Sequence, residues 1–139
     1  MTSAELAGFM ALFEGHGFEV FGGEVEPTDP GMALGVMRRY LLILPTYSPD
    51  IQRRLTGAYS TREVGFVAHC YGKTFAESDW LHKRVDTIAR PNGWGVTPTV
   101  EGRKCKRIRR TANFGPDREE PGIGLWDAFH EYSFISSPA

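Results

Sequence analysis

Residues 62–93 read REVGFVAHCYGKTFAESDWLHKRVDTIARPNG, and this stretch decides the fold. Its opening alternates: Val64, Phe66, Ala68 and Cys70 fall on one side of an extended chain, which predicts a half-buried strand over 62–71. The period then changes. Thr74, with Glu77 three residues later, forms a capping box, and Leu81, Val85 and Ile88 recur at helical spacing. Ala89 lies beside that stripe and Trp80 at its flank, and Pro91 with Asn92-Gly93 stops the helix, predicted over about 75–90.

Toward the C-terminus, 94–100 and 103–111 read as a hairpin turning at Glu101-Gly102. A long connection over 112–125 follows, and 126–135 alternates again, with Trp126, Ala128, His130, Tyr132 and Phe134 on one face. Toward the N-terminus, 36–44 reads as a strand bounded by Pro45 and the turn-like Ser48-Pro49-Asp50, with 51–58 a weak continuation. The Gly-, Pro- and acid-rich 22–35 stretch is a second long connection, after a brief apolar run at 18–21. The chain opens on a short amphipathic helix. Thr2 and Glu5 form its capping box, Leu6, Phe9, Met10 and Phe13 share a face, and Gly15 and Gly17 end it. The order of elements predicts an α+β fold in one domain over 1–139. A mainly antiparallel sheet of about four to five strands is packed by the N-terminal helix and the central helix, with 22–35 and 112–125 as extended loops.

Composition bounds the class. With 139 residues, 41% hydrophobic and 24% charged, the chain reads as an ordinary soluble domain. No apolar run approaches the roughly 20 residues that span a bilayer, and no basic-then-apolar leader precedes the first helix, so neither membrane nor secretion is expected. Cys70 and Cys105 are too few for a disulfide framework and favour a reducing compartment. The net charge of −1 hides a segregation. Residues 1–37 hold six acids and no Lys or Arg, 38–110 hold fifteen bases and six acids, and 111–139 hold five acids and Arg118.

The sharpest feature is Arg103-Lys104-Cys105-Lys106-Arg107-Ile108-Arg109-Arg110. Strand parity puts Cys105 and Ile108 on opposite faces and charges both faces, whereas a half-buried strand has one apolar face. The segment is therefore an edge, a bulged strand or a projection beyond its own core. Arg103, Lys104, Lys106, Arg107, Arg109 and Arg110 need acidic neighbours or an external anion, such as a neighbouring subunit or DNA phosphates. The candidate acidic counter-surface is Glu24, Glu26 and Asp29 together with Asp117, Glu119 and Glu120.

Catalytic chemistry finds little support. Four histidines, His16, His69, His82 and His130, show no metal-ligand spacing, and His69 and Cys70 point to opposite faces of one strand. Flanking cations would lower the Cys105 thiol pKa, but no His partner is evident. No nucleophile elbow or phosphate cradle occurs, and Gly122-Ile123-Gly124 lacks the later glycine. Trp94, Phe114 and Trp126 could stack on single-stranded bases, but no nucleic-acid-binding signature accompanies them. No enzyme, metal or cofactor is expected.

The pattern resembles the tail terminators and related head–tail connectors of long-tailed, siphovirus-type phages, particularly those of actinobacteria. The resemblance rests on Tyr40-Leu41-Leu42-Ile43-Leu44-Pro45, Arg54-Leu55-Thr56-Gly57, Arg62-Glu63-Val64-Gly65-Phe66-Val67 and Tyr71-Gly72-Lys73-Thr74. The helix containing Trp80-Leu81 and the closing Glu131-Tyr132-Ser133-Phe134-Ile135-Ser136 complete it, over about three-quarters of the chain. The resemblance implies a virion protein of the tail or neck, assembled in the host bacterial cytoplasm. It implies a ring, typically a hexamer, that caps the tail tube, stops its polymerisation and offers a docking surface to the head. Partners would then be further copies of the chain, the major tail tube protein, a head-completion or stopper protein, and genomic DNA passing non-specifically through the lumen. The basic strand would face either a neighbouring subunit or that lumen. Two alternatives stay open: a head-closure or adaptor protein of the same neck, and a small nucleic-acid-binding protein using the basic strand.

Overall fold

The computed structural model describes residues 4–22, 39–46, 61–118 and 126–138. Helix α1 spans Ala4–Ala11, followed by strands β1 (Glu19–Gly22), β2 (Arg39–Thr46) and β3 (Arg62–Gly72). Helix α2 (Phe75–Ala89) precedes β4 (Arg103–Cys105), β5 (Arg109–Arg118) and β6 (Trp126–Pro138). The fold is α+β, as the sequence predicts. The six strands form one sheet in the order β1-β2-β3-β6-β4, with β5 also bonded to β6. All pairs are antiparallel except β1 with β2, which run parallel.

Both long strands keep the alternation read from sequence. Phe66, Ala68 and Cys70 of β3, and Ala128, Tyr132 and Phe134 of β6, are buried on the face covered by the helices. From α1 and the turn after it come Leu6, Phe9 and Phe13, and Phe9 stacks on Phe66 at 4.7 Å. Gly15 and Gly17, at φ +79° and +88°, turn the chain into β1 through angles other residues resist. The N-cap of α2 is Thr74, whose side chain accepts from the Glu77 N–H at 3.2 Å. Leu81, Val85 and Ala89 are fully buried beneath α2, and Ser78 joins them by donating to the Cys70 carbonyl at 2.8 Å.

Three expectations change. The 94–100 and 103–111 hairpin does not form: 94–100 is not a strand, and both β4 and β5 pair with β6. The reason is register. Cys105 lies opposite Ser136 and Arg109 opposite Ser133, so four steps along the basic segment match three along β6. The extra residue breaks the strand and reverses its parity. Cys105 and Ile108, which an unbroken strand would point apart, both reach the helix-side core.

The connection expected over 112–125 begins instead as strand, since β5 runs to Arg118. Gly115 and Pro116 look like loop residues, but they sit in a register irregularity between Phe114 and Asp117, where a proline need not donate to the ladder. The 18–21 run supplies the extra strand β1 at the far edge. Residues 23–38, 47–60 and 119–125, which contain most of the 22–35 connection, the first residues of the 36–44 strand, the 51–58 continuation and the end of the 112–125 connection, lie outside the described residues, as does Thr2.

Candidate functional site

The six bases of the 103–110 segment divide into two sets. Arg103 turns inward, with its side chain 11% exposed. Its Nε donates to Ser136 Oγ and its Nη2 to the Ser136 carbonyl, both at 2.9 Å. The same guanidinium lies 3.7 Å from Glu5, a buried carboxylate that also accepts from Ser136 at 3.2 Å and pairs with Arg62 at 3.4 Å. Arg110 donates to Asp86 of α2 at 3.0 Å, and Arg109 donates to Glu63 of β3 at 2.9 Å on the other face. Lys104, Lys106 and Arg107 are exposed and make no ion pair among the described residues. The sequence grouped all six together. Only the register break separates them.

Asp117 is exposed on β5, opposite Asp127 of β6. Glu24, Glu26, Asp29, Glu119 and Glu120 of the expected acidic counter-surface lie outside the described residues. Glu5 is not a surface acid at all, because Arg62, Arg103 and Ser136 hold it inside. Exposed acids of the N-terminal block do occur at the β1 edge, where Glu14 and Glu19 border an open groove of about 670 Å³. Phe18, Val20 and Arg39 also line it. Arg39 is committed elsewhere: it pairs with Glu77 at 2.5 Å, and its guanidinium lies 4.0 Å from the centre of the Trp80 ring.

Two histidines that the sequence left unconnected meet between α2 and β6. The His82 and His130 rings stack at 3.9 Å and 11°, and His130 Nε2 donates to the His82 carbonyl at 2.8 Å. Burial lowers both pKa values, taking His130 down to about 4, so the pair is neutral at pH 7. Beside it the Tyr132 hydroxyl donates to Asp86 at 2.9 Å, and burial, reinforced by the Asp86 charge, pushes its pKa up. His69 faces the other way, 3.0 Å from the Asp127 carboxylate. Among the described residues no group of three or more His, Cys, Asp or Glu is placed to hold a metal ion.

The cysteines depart from one expectation. Burial raises the Cys105 pKa, and Glu5 adds to this, outweighing the Ser136 hydrogen bond and the Arg103 charge that lower it. Lys104 and Lys106, which flank Cys105 in sequence, are exposed and are not among the groups that shift its thiol. Cys70 is fully buried, and its pKa is raised first by burial and then by Asp127.

The sheet face away from the helices carries a row of rings that sequence reading overlooked. Phe21 contacts Tyr40 at 5.8 Å, Tyr40 stacks on Tyr71 at 5.0 Å and Tyr71 on His69 at 5.7 Å. His69 then meets Phe129 at 5.5 Å, and Phe129 stacks on Phe114 at 4.7 Å. The signal lay in His69, Tyr71 and Phe129, rings at odd-numbered positions of β3 and β6 that are otherwise mostly polar or small. Phe114, singled out as a base-stacking candidate, ends this row and is half-exposed.

No protein-family model and no curated protein matches the chain. Solved structures do. A chain of the virion of a native gene transfer agent particle superposes with a TM-score of 0.62 at 12% identity, over 93% of this chain and 84% of its own. The fold is shared with a virion protein. A second solved chain matches at 14% identity with a TM-score of 0.52, covering 88% of this chain and 79% of its own. At these identities the likeness is one of fold. No helix among the described residues is long and apolar enough to cross a membrane.

Proposed function

We propose that the chain is a structural protein of a phage-type virion, located in the tail or neck, and that it acts as a tail terminator. In this reading copies of the chain form a ring on the end of the tail tube, stop its growth and dock the head. The observation that carries the reading is the fold shared with a virion chain over 93% of the length. The sequence resemblance to tail terminators and connectors points the same way. The arrangement of charge supports self-association: among the described residues Lys104, Lys106 and Arg107 are exposed without an ion pair beside β4, and Glu14 and Glu19 are exposed without one at the opposite, β1 edge. A ring that caps a tube works by shape and docking, and the proposed role requires neither a catalytic group nor a cofactor.

The test is assembly. Purified protein viewed by electron microscopy should give rings of one size, or rings seated on tail tubes. Particles produced without the protein should carry tubes of uncontrolled length. A protein that stays monomeric and leaves tube length unchanged overturns the proposal. Tubes of normal length on heads that lose their DNA would move the role to head closure.

A further inference from the structure

We propose that Trp94, Lys104, Lys106 and Arg107 form one half of a head-to-tail contact between copies, and that the other half is the Glu14–Glu19 groove of the next copy. The proposal rests on the ring reading above and names the surfaces that would build the ring.

The first half is a preformed knob. The Ile108 N–H donates to the Val96 carbonyl at 3.0 Å and the Val96 N–H to the Ala89 carbonyl at 2.9 Å, so the 94–97 segment is tied to both α2 and the break between β4 and β5. At Gly95 the two backbones approach so closely that a Cβ would collide with the Ile108 carbonyl. Held there, Trp94 leaves 70% of its surface exposed, with the Arg107 guanidinium 6.0 Å from its ring centre. Lys104 and Lys106, on the same segment as Arg107, are exposed like it, and none of the three makes an ion pair among the described residues; one exposed acid, Glu101, stands at the preceding turn. A rigid exposed Trp beside Arg is the composition of a binding hot spot. Double-stranded DNA would use the cations but gain little from the indole, because its affinity comes from phosphate neutralisation.

The second half lies at the opposite edge of the same sheet. β1 is the first strand of the sheet order and β4 the last. Glu14 and Glu19 are exposed and make no ion pair among the described residues; Phe18 and Val20 line the same groove, and its one cation, Arg39, is paired with Glu77. At about 670 Å³ the groove has a volume in the range of small-molecule pockets, enough for an indole side chain. Unlike patches on opposite edges generate a heterologous contact, which repeats from copy to copy and closes into a ring when the rotation allows. A two-fold dimer through either edge would instead set like charges against each other, so electrostatic complementarity selects the head-to-tail arrangement.

Charge reversal tests it with a built-in rescue. One variant carries Lys104→Glu, Lys106→Glu and Arg107→Glu; the other carries Glu14→Lys and Glu19→Lys. All five positions are exposed, and circular dichroism establishes that each variant folds. Each variant alone should lose rings by light scattering and electron microscopy, and the two mixed should regain them, because the reversed edges are then complementary. Trp94→Ala should raise the concentration needed for assembly by about tenfold or more. If each variant alone still forms wild-type rings, the contact is wrong while the ring reading stands. If rings persist and only DNA binding falls, the cations serve DNA and the proposal is overturned. If wild-type protein neither forms rings nor binds tail tubes, the ring reading falls first and the contact with it.

Discussion

The two faces of the sheet are built from the same strands and differ in what covers them. On the helix side Phe9, Phe66 and Phe134 form a closed stack, with ring centres 4.7 to 6.3 Å apart and each ring at most 2% exposed. On the other side the aromatic row grades from Tyr40, fully buried at β2, to Phe114, 54% exposed at β5. Alternation along a strand places apolar groups on both faces with equal ease. Burial, and hence stabilisation, follows only where a second layer excludes water. The covered face, together with the buried cluster of Tyr40 and Leu42 on the other face, therefore carries stability, and the open end of that other face at Phe114 is free to serve contact.

The largest effect expected from this contrast is at the centre of the covered face. Phe9→Ala should cost about 3–5 kcal/mol, read as a lowered denaturant midpoint, since α1 loses its deepest anchor against Phe66. A cost below about 1 kcal/mol would mean that α1 does not close this core.

The next effect is a pH dependence located on the same face. His130 titrates near 4 in the folded protein, below the unfolded value of about 6.5, so the unfolded chain takes up the proton first. The stability tied to neutral His130 is present above about pH 6.5 and is lost as pH falls toward 4, by at most about 3 kcal/mol. Denaturation measured at pH 7, 5.5 and 4.5 should show this fall, and His130→Asn should flatten it, leaving the smaller slope of His82. Equal slopes for wild type and variant would remove His130 from that account.

The smallest effect belongs to the open face. Phe114→Ala should cost under about 1 kcal/mol, because a half-exposed ring gives up one stack on Phe129 and little buried area. A cost equal to that of Phe9→Ala would make this face a second core and erase the contrast.

The elements legible in sequence are those whose pattern matches one period over a long run. β3, α2 and β6 qualify: Val64 to Cys70 and Ala128 to Phe134 alternate, and Leu81 and Val85 with Ala89 repeat at helical spacing. β1 was not legible as a strand because four residues carry too little periodicity and its partner is parallel, some twenty residues on. The end of β5 was hidden by Gly115 and Pro116, whose turn character is absorbed by an irregular register. The candidate site was half legible. Six clustered bases stand out in any reading of the chain, but which are free depends on Ser136, Glu5, Asp86 and Glu63, up to 98 residues away in the case of Arg103 and Glu5.

The sequence by itself determined the α+β class, the inner faces of the two long strands, the cap of α2 and the sorting of charge into blocks. These follow from local chemistry and period, which neighbouring residues suffice to set. The tertiary structure alone decided that one extra residue opposite β6 splits the basic segment, that His82 meets His130, and that Lys104, Lys106 and Arg107 lie at the edge of the sheet opposite to Glu14 and Glu19. Pairing register and burial are properties of distant segments brought together, and a charge is left available only where no such segment arrives to neutralise it.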